Sequence, residues 1–155
     1  MKKAIQLSMF NVAEVQLSYK SKVPASQRPK ITCSRDAYEL FKDCWDQGSI
    51  SHIEEFKILL MNRSNSVLGI LPISKGGISG TVTDIRIILQ AAIIANASGF
   101  ICCHNHPSNS LNPSESDNKI TKKIKEAGNI MDIQLLDHLI ITCDDYYSFA
   151  DSGIL

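Results

Sequence analysis

Net charge is the first thing this 155-residue chain lacks: sixteen lysines and arginines are matched by sixteen aspartates and glutamates. A balanced chain projects no global field toward nucleic acid or an anionic membrane. Lys119, Lys122, Lys123 and Lys125 form a local basic patch, but on a helix such a run is ordinarily a solvated face. Long apolar runs are missing as well. None approaches the roughly 18 residues of a membrane span, and no apolar segment follows Lys2 and Lys3 as it would in a secretion signal. The C-x-x-C pairs of a structural zinc ribbon are absent. Cysteines number five, an odd count, with Cys102 and Cys103 adjacent. That suits reduced thiols in a cytoplasm better than a disulfide framework. No internal repeat, low-complexity tract or domain boundary is visible.

What remains is an ordinary globular composition, 44% hydrophobic and 21% charged, in a chain long enough to bury one core. Ala13, Val15, Leu17 and Tyr19 alternate with polar residues and predict a half-buried strand. A polar loop over 21–30, broken by Pro24 and Pro29, follows. Ser34 is a plausible N-cap for a helix with an apolar face of Ala37, Leu40, Phe41, Cys44 and Trp45, stopped by Gly48. "EEFKILLMN" and "VLGILPIS" read as a hairpin joined by "RSNS". Beyond the "KGGISG" loop, Ile85, Ile88, Leu89 and Ala92 predict a helix over 84–97, ended by Gly99. "FICC" reads as a short buried strand. A further helix is expected from about Ser114 to Gly128–Asn129, and "IQLL" and "HLIIT" supply more strand. The sum is one α/β (α+β) domain, a mixed sheet with flanking helices.

The stretch "HNHPSNSLNPSESD", residues 104–117, carries the chemistry. His104 and His106 follow the buried strand directly. Strand side chains alternate, so both imidazoles point to one side and can reach a single ion. Asp117 falls in the first turn of the next helix, which the intervening loop can fold back over the strand end. Two imidazoles and a carboxylate leave the fourth tetrahedral position for water, the open arrangement of catalytic zinc sites. Ser114-x-x-Asp117 also has a plainer reading as a helix capping box. The two readings are compatible, because a cap fixes the turn that presents Asp117.

The pattern H-x-H-P-x6-S-x2-D, formed by His104, His106, Pro107, Ser114 and Asp117, resembles the signature of the JAB/MPN metalloenzymes known as JAMM. "HNHPS" with the downstream "PSESD" is similar to their bacterial RadC-like branch. The resemblance runs through "GGISGTVTDIR", "LLDHLII" and "YYSFADSG", covering the chain from about Ala13. It implies a single JAB/MPN domain over 13–155 behind a segment 1–12, with a cytidine-deaminase-like architecture. Longer RadC-like members carry a helix-hairpin-helix region ahead of this domain, and the space here is expected to be too short for one. The resemblance further implies one Zn²⁺ held by His104, His106 and Asp117, lowering the pKa of a bound water to roughly 7. A glutamate would act as general base and then acid. The family's spacing of glutamate, one residue, then an aromatic selects Glu54 ahead of Phe56. Glu54 also shares a strand face with Phe56, Ile58 and Leu60, where an acid is costly without a task. Glu55 reads as solvent-facing. Ser114 would donate a hydrogen bond to the developing oxyanion, and the bond cut would be a peptide or isopeptide amide in an unknown protein or peptide substrate.

Other residues read more plainly. His138 is expected to be structural or hydrogen-bonded beside the site, since an open site wants no fourth ligand. His52 is expected to be exposed, Cys102 and Cys103 to be small core residues, and Arg86 to serve either substrate or structure. A deaminase site would require H-x-E and P-C-x-x-C, and a TIM barrel about 250 residues. Both are excluded. The competing function is an interaction module, associated with DNA repair or mobile elements, that keeps the fold without turnover. Neutral charge gives DNA association no support, and no membrane partner is expected.

Overall fold

A computed structural model describes residues 13, 15, 16, 18–76 and 82–155. Its centre is one five-stranded sheet: β1 (Glu55–Met61), β2 (Val67–Lys75), β3 (Gly99–Asn105), β4 (Gln134–Ile141) and β5 (Tyr146–Ser148). The strand order is β2-β1-β3-β4-β5. The β3–β4 pair is parallel and every other neighbouring pair is antiparallel, so the sheet is mixed. Among the described residues three α-helices flank it: α1 (Ser34–Asp43), α2 (Ile85–Ile94) and α3 (Glu115–Ile130).

Every residue of β1 and β3 is buried, because these central strands are covered on both faces. Their parity divides the core. Leu59, Met61, Ile101 and Cys103 pack with Ala37, Tyr38 and Phe41 of α1. Phe56, Ile58, Leu60, Phe100 and Cys102 pack with Ile88 and Ala92 of α2 and Ile124 of α3. The β1–β2 hairpin forms as its alternation and turn residues predict. The Asn62 side chain accepts from the Ser64 and Ser66 amides at 3.0 and 2.9 Å, and Asn65 takes the left-handed conformation the turn requires.

Several boundaries differ from the sequence expectations. No strand covers the described residues of 13–19; Val15 is 85% exposed. Alternation marks a strand only where a sheet edge pairs with it; here the Tyr19 hydroxyl donates to the Leu68 carbonyl at 2.6 Å. The cap of α1 is Cys33, not Ser34, because Asp36 reaches back to accept from the Thr32 and Cys33 amides. That helix ends at Asp43, ahead of Gly48, leaving Cys44 exposed while Trp45 folds into the core. The left-handed residue after α2 is Asn96, which tolerates that conformation. Gly99 instead opens β3. "IQLL" and "HLIIT" form one strand, β4. The segment 1–12 and most of the "KGGISG" loop lie outside the described residues. Among the described residues, no helix is long and apolar enough to cross a membrane.

Candidate metal centre

The parallel β3–β4 pair requires a crossover, and α3 supplies it. His104 sits near the end of β3, His106 just beyond it, and Asp117 in the first turn of α3. The chain between them turns at His106, whose carbonyl accepts from the Asn109 amide at 3.0 Å. Asn109 is again left-handed. The expected capping box is present in both directions. Ser114 Oγ accepts from the Asp117 amide at 3.1 Å, and the Ser114 amide donates to Asp117 Oδ2 at 2.7 Å. One Asp117 oxygen thus fixes the turn and the carboxylate still reaches both histidines.

Three candidate donor groups converge, the carboxylate meeting each histidine through a different oxygen. His104 Nε2 lies 3.0 Å from His106 Nε2 and 3.2 Å from Asp117 Oδ1, and His106 Nε2 lies 3.5 Å from Asp117 Oδ2. Ligands held at 2.0–2.1 Å around a tetrahedral ion stand roughly 3.3 Å apart, so these spacings fit a small divalent ion. Imidazole and carboxylate are suitable donors for one. The three side chains are between 2% and 14% exposed. Burial alone would raise the Asp117 pKa, but hydrogen bonds from His104 and His106 hold it well below the carboxylate range. The same Asp117 contact raises His106 above its ordinary value against desolvation, and the nearby Glu54 charge adds to this. His106 Nδ1 stands 2.7 Å from the Ser110 carbonyl. A carbonyl can only accept, so Nδ1 carries the proton and Nε2 is the ring atom left to ligate.

The antiparallel pairing of β1 with β3 brings the glutamates into place. Phe56 pairs with His104 and Lys57 with Cys103; by the alternation of the strand, Glu54 falls on the side of Phe56 and His104, and Glu55 on the side of Lys57. Glu54 therefore lines the cleft of about 840 Å³ that also holds His104, His106, Ser114 and Asp117. Glu55 turns to the other face. It is not solvent-facing, as its sequence reading had it, but 7% exposed, paired with Lys57 at 3.3 Å and Lys75 at 2.9 Å and bonded to Ser49. Desolvation pushes its pKa up, and these partners pull it net downward.

Asn105, between the two histidines, is a residue shaping the site that the sequence reading missed. Its fully buried side chain accepts from the Glu55 amide at 2.7 Å and donates to the Ile53 and Ile50 carbonyls at 2.8 and 2.7 Å. It clamps the backbone on both sides of Glu54. The alternation of H-x-H was the available signal, since the middle residue must face away from both imidazoles.

His138 is fully buried beside the site, 2.9 Å from His104 through Nε2 and 2.6 Å from Thr121 Oγ1 through Nδ1. Burial depresses its pKa well below the usual value. Arg86 is exposed and forks onto Asp84, the α2 cap, with its closest contact at 2.6 Å, apart from the cleft lining. His52 is exposed. Cys102 and Cys103 are buried core residues whose thiols burial pushes far up, and all five cysteines are free.

Comparison with known proteins places relatives beside this geometry. The family described as RadC-like JAB domain matches residues 31–154. A UPF0758 protein of Flavobacterium johnsoniae is 50% identical over 125 residues, 81% of this chain and 53% of that protein. Another from Porphyromonas gingivalis is 36% identical over 148 residues, 93% and 63%. A third, from Chlorobium chlorochromatii, is 35% identical over 153 residues, 99% and 66%. The chain thus spans between about half and two thirds of the length of these relatives.

Proposed function

The chain belongs to the RadC-like JAB domain family, and from that premise we propose that it is a JAMM-type hydrolase cutting a peptide or isopeptide amide. Its zinc ion would be held by His104, His106 and Asp117. The observation that supports this best is the convergence of His104 Nε2, His106 Nε2 and the Asp117 carboxylate at 3.0–3.5 Å on a cleft that Glu54 also lines. A zinc ion in such a site acts as a Lewis acid on the scissile carbonyl and makes water a competent nucleophile near neutral pH.

The chain's own residues do the rest. Glu54 takes the proton of the attacking water and delivers it to the leaving amine, as general base and then acid. Asn105 holds the backbone around Glu54, so the carboxylate meets the cleft without searching for its position. Ser114 Oγ already accepts the Asp117 amide in the cap. Its own proton remains to donate to the oxygen on which charge develops. Phe56, beside Glu54, gives one wall of the cleft an apolar surface.

The test uses zinc-loaded protein with a mixture of peptides and isopeptide-linked substrates, read by mass spectrometry. Glu54→Gln should keep its metal and lose roughly 100-fold or more in turnover, since the amide cannot accept a proton at neutral pH. Wild-type turnover by the variant would exclude Glu54 as the base. Metal binding without turnover in wild type would favour the interaction-module reading.

A further inference from the structure

We infer that Thr121 and His138 form a buried hydrogen-bond relay that sets the tautomer of His104, making both positioning residues for the metal centre. This rests on the reading of His104 as a ligand. The relay starts from one chemical certainty: the Asp117 carbonyl oxygen can only accept. Thr121 Oγ1 lies 2.6 Å from it. Two acceptors at that distance would repel, so the single hydroxyl proton of Thr121 points to Asp117. Oγ1 is also 2.6 Å from His138 Nδ1. With its proton committed, Oγ1 must accept there, and Nδ1 of His138 carries the hydrogen.

His138 is fully buried, stacked on Phe149 at 5.0 Å and tilted against Phe56 at 5.4 Å. The two rings fix its plane, and neither offers a counter-charge for a second ring proton. Its Nε2 is therefore bare and accepts from His104 Nδ1 at 2.9 Å. That assigns His104 the Nδ1–H tautomer, the same one the Ser110 carbonyl imposes on His106. With a proton held on Nδ1 of each ring, Nε2 is the atom that faces the Asp117 carboxylate and the one that must be bare to take an ion. The relay leaves Asp117 by its backbone and returns to it through His104 Nε2, 3.2 Å from Oδ1.

A direct consequence concerns a residue that touches no proposed ligand side chain. Without the Thr121 hydroxyl, nothing holds the proton on His138 Nδ1. His138 can then carry it on Nε2 and donate to His104 Nδ1, which moves the His104 proton onto Nε2 and blocks its lone pair.

Long-range ¹H–¹⁵N NMR of the side-chain imidazoles, on metal-free full chain at pH 8, reads these tautomers directly. Wild type should show a proton on Nδ1 of both His104 and His138, with His138 Nε2 bare. Thr121→Val should lose that pattern and bind Zn²⁺, titrated alone, about 10- to 100-fold more weakly, the usual effect of removing a partner behind a ligand. Thr121→Ser should restore both readouts. A wild-type spectrum with His104 Nδ1 bare or His138 protonated at Nε2 overturns the relay, and that spectrum decides even if the valine variant is unstable. Wild-type zinc affinity in a folded Thr121→Val protein overturns it too. Undiminished Zn²⁺ binding by His104→Ala would instead sink the ligand assignment, and the relay as a positioning device with it, while the wild-type tautomers still report whether the hydrogen bonds run as drawn.

Discussion

Glu54 and Glu55 differ by one position and occupy opposite worlds. Strand parity sends Glu54 to the histidine side and Glu55 to the α1 side, where it lies between Lys57 and Lys75. Glu55→Gln should therefore leave metal binding intact yet cost stability, by about 1–3 kcal/mol as a charge-assisted network is broken. Asn105→Ala should cost a similar amount or more, since it leaves the Glu55 amide, the buried Ile50 carbonyl and the part-buried Ile53 carbonyl without their partner. Urea melts of both variants check this; an unchanged midpoint for Asn105→Ala would mean that the clamp is not needed to hold the 50–55 segment. The direction of each glutamate was legible in the sequence because alternation is local. The burial of Glu55 was not, because Ser49 and Lys75 reach it from outside its strand and carry no mark of doing so.

At the scale of elements, the reliable signals were periodicity and capping chemistry, and glycine was the misleading one. Gly128 does not stop α3; it lies inside it, where the chain entering β4 crosses the helix. A Cβ at 128 would meet the Ile133 carbonyl oxygen at 2.4 Å, closer than any side chain tolerates. Gly128→Ala should accordingly destabilise the protein by ~1–3 kcal/mol, although alanine is the better helix former by roughly 1 kcal/mol. A rise in melting temperature would show that β4 can shift away at no cost. The sequence places a glycine near the end of a helical pattern and so suggests a terminator. Only the packing of β4 against the helix separates that reading from a close approach. The strand expected at 13–19 and not found among its described residues has the same origin: alternation reports a compatible chain, whereas pairing depends on an available sheet edge.

For the whole molecule, the candidate metal centre lies at the margin of a core whose apolar packing does not run through it. Its three candidate ligand residues lie within residues 104–117, and the two hydrophobic clusters that pack the sheet include none of them. Chelation should therefore leave far-UV circular dichroism and cooperative melting in place. Global unfolding would mark a structural ion instead. The pH dependence follows from protons and metal competing for His106 Nε2. The His106 pKa is raised by Asp117, so the protonated pair stabilises metal-free protein below the unfolded histidine value of about 6.5 and above the unfolded aspartate value of about 3.9. That contribution is lost as pH rises through the raised His106 value. Buried neutral His138 acts in the opposite sense, costing stability as pH falls below about 6.5. Metal replaces the proton at high pH. The rise in melting temperature on adding Zn²⁺ should thus be larger at pH 8 than at pH 6, and the reverse order would place the ion elsewhere.

The centre itself is tested most directly by elemental analysis of folded protein equilibrated with zinc at pH 8 and freed of excess. About one zinc per chain should remain in wild type, retained in Glu54→Gln and lost in His104→Ala and His106→Ala with secondary structure unchanged. Folded wild-type protein that emerges empty, or histidine variants that keep a full equivalent, would contradict the assignment of His104, His106 and Asp117 as the site.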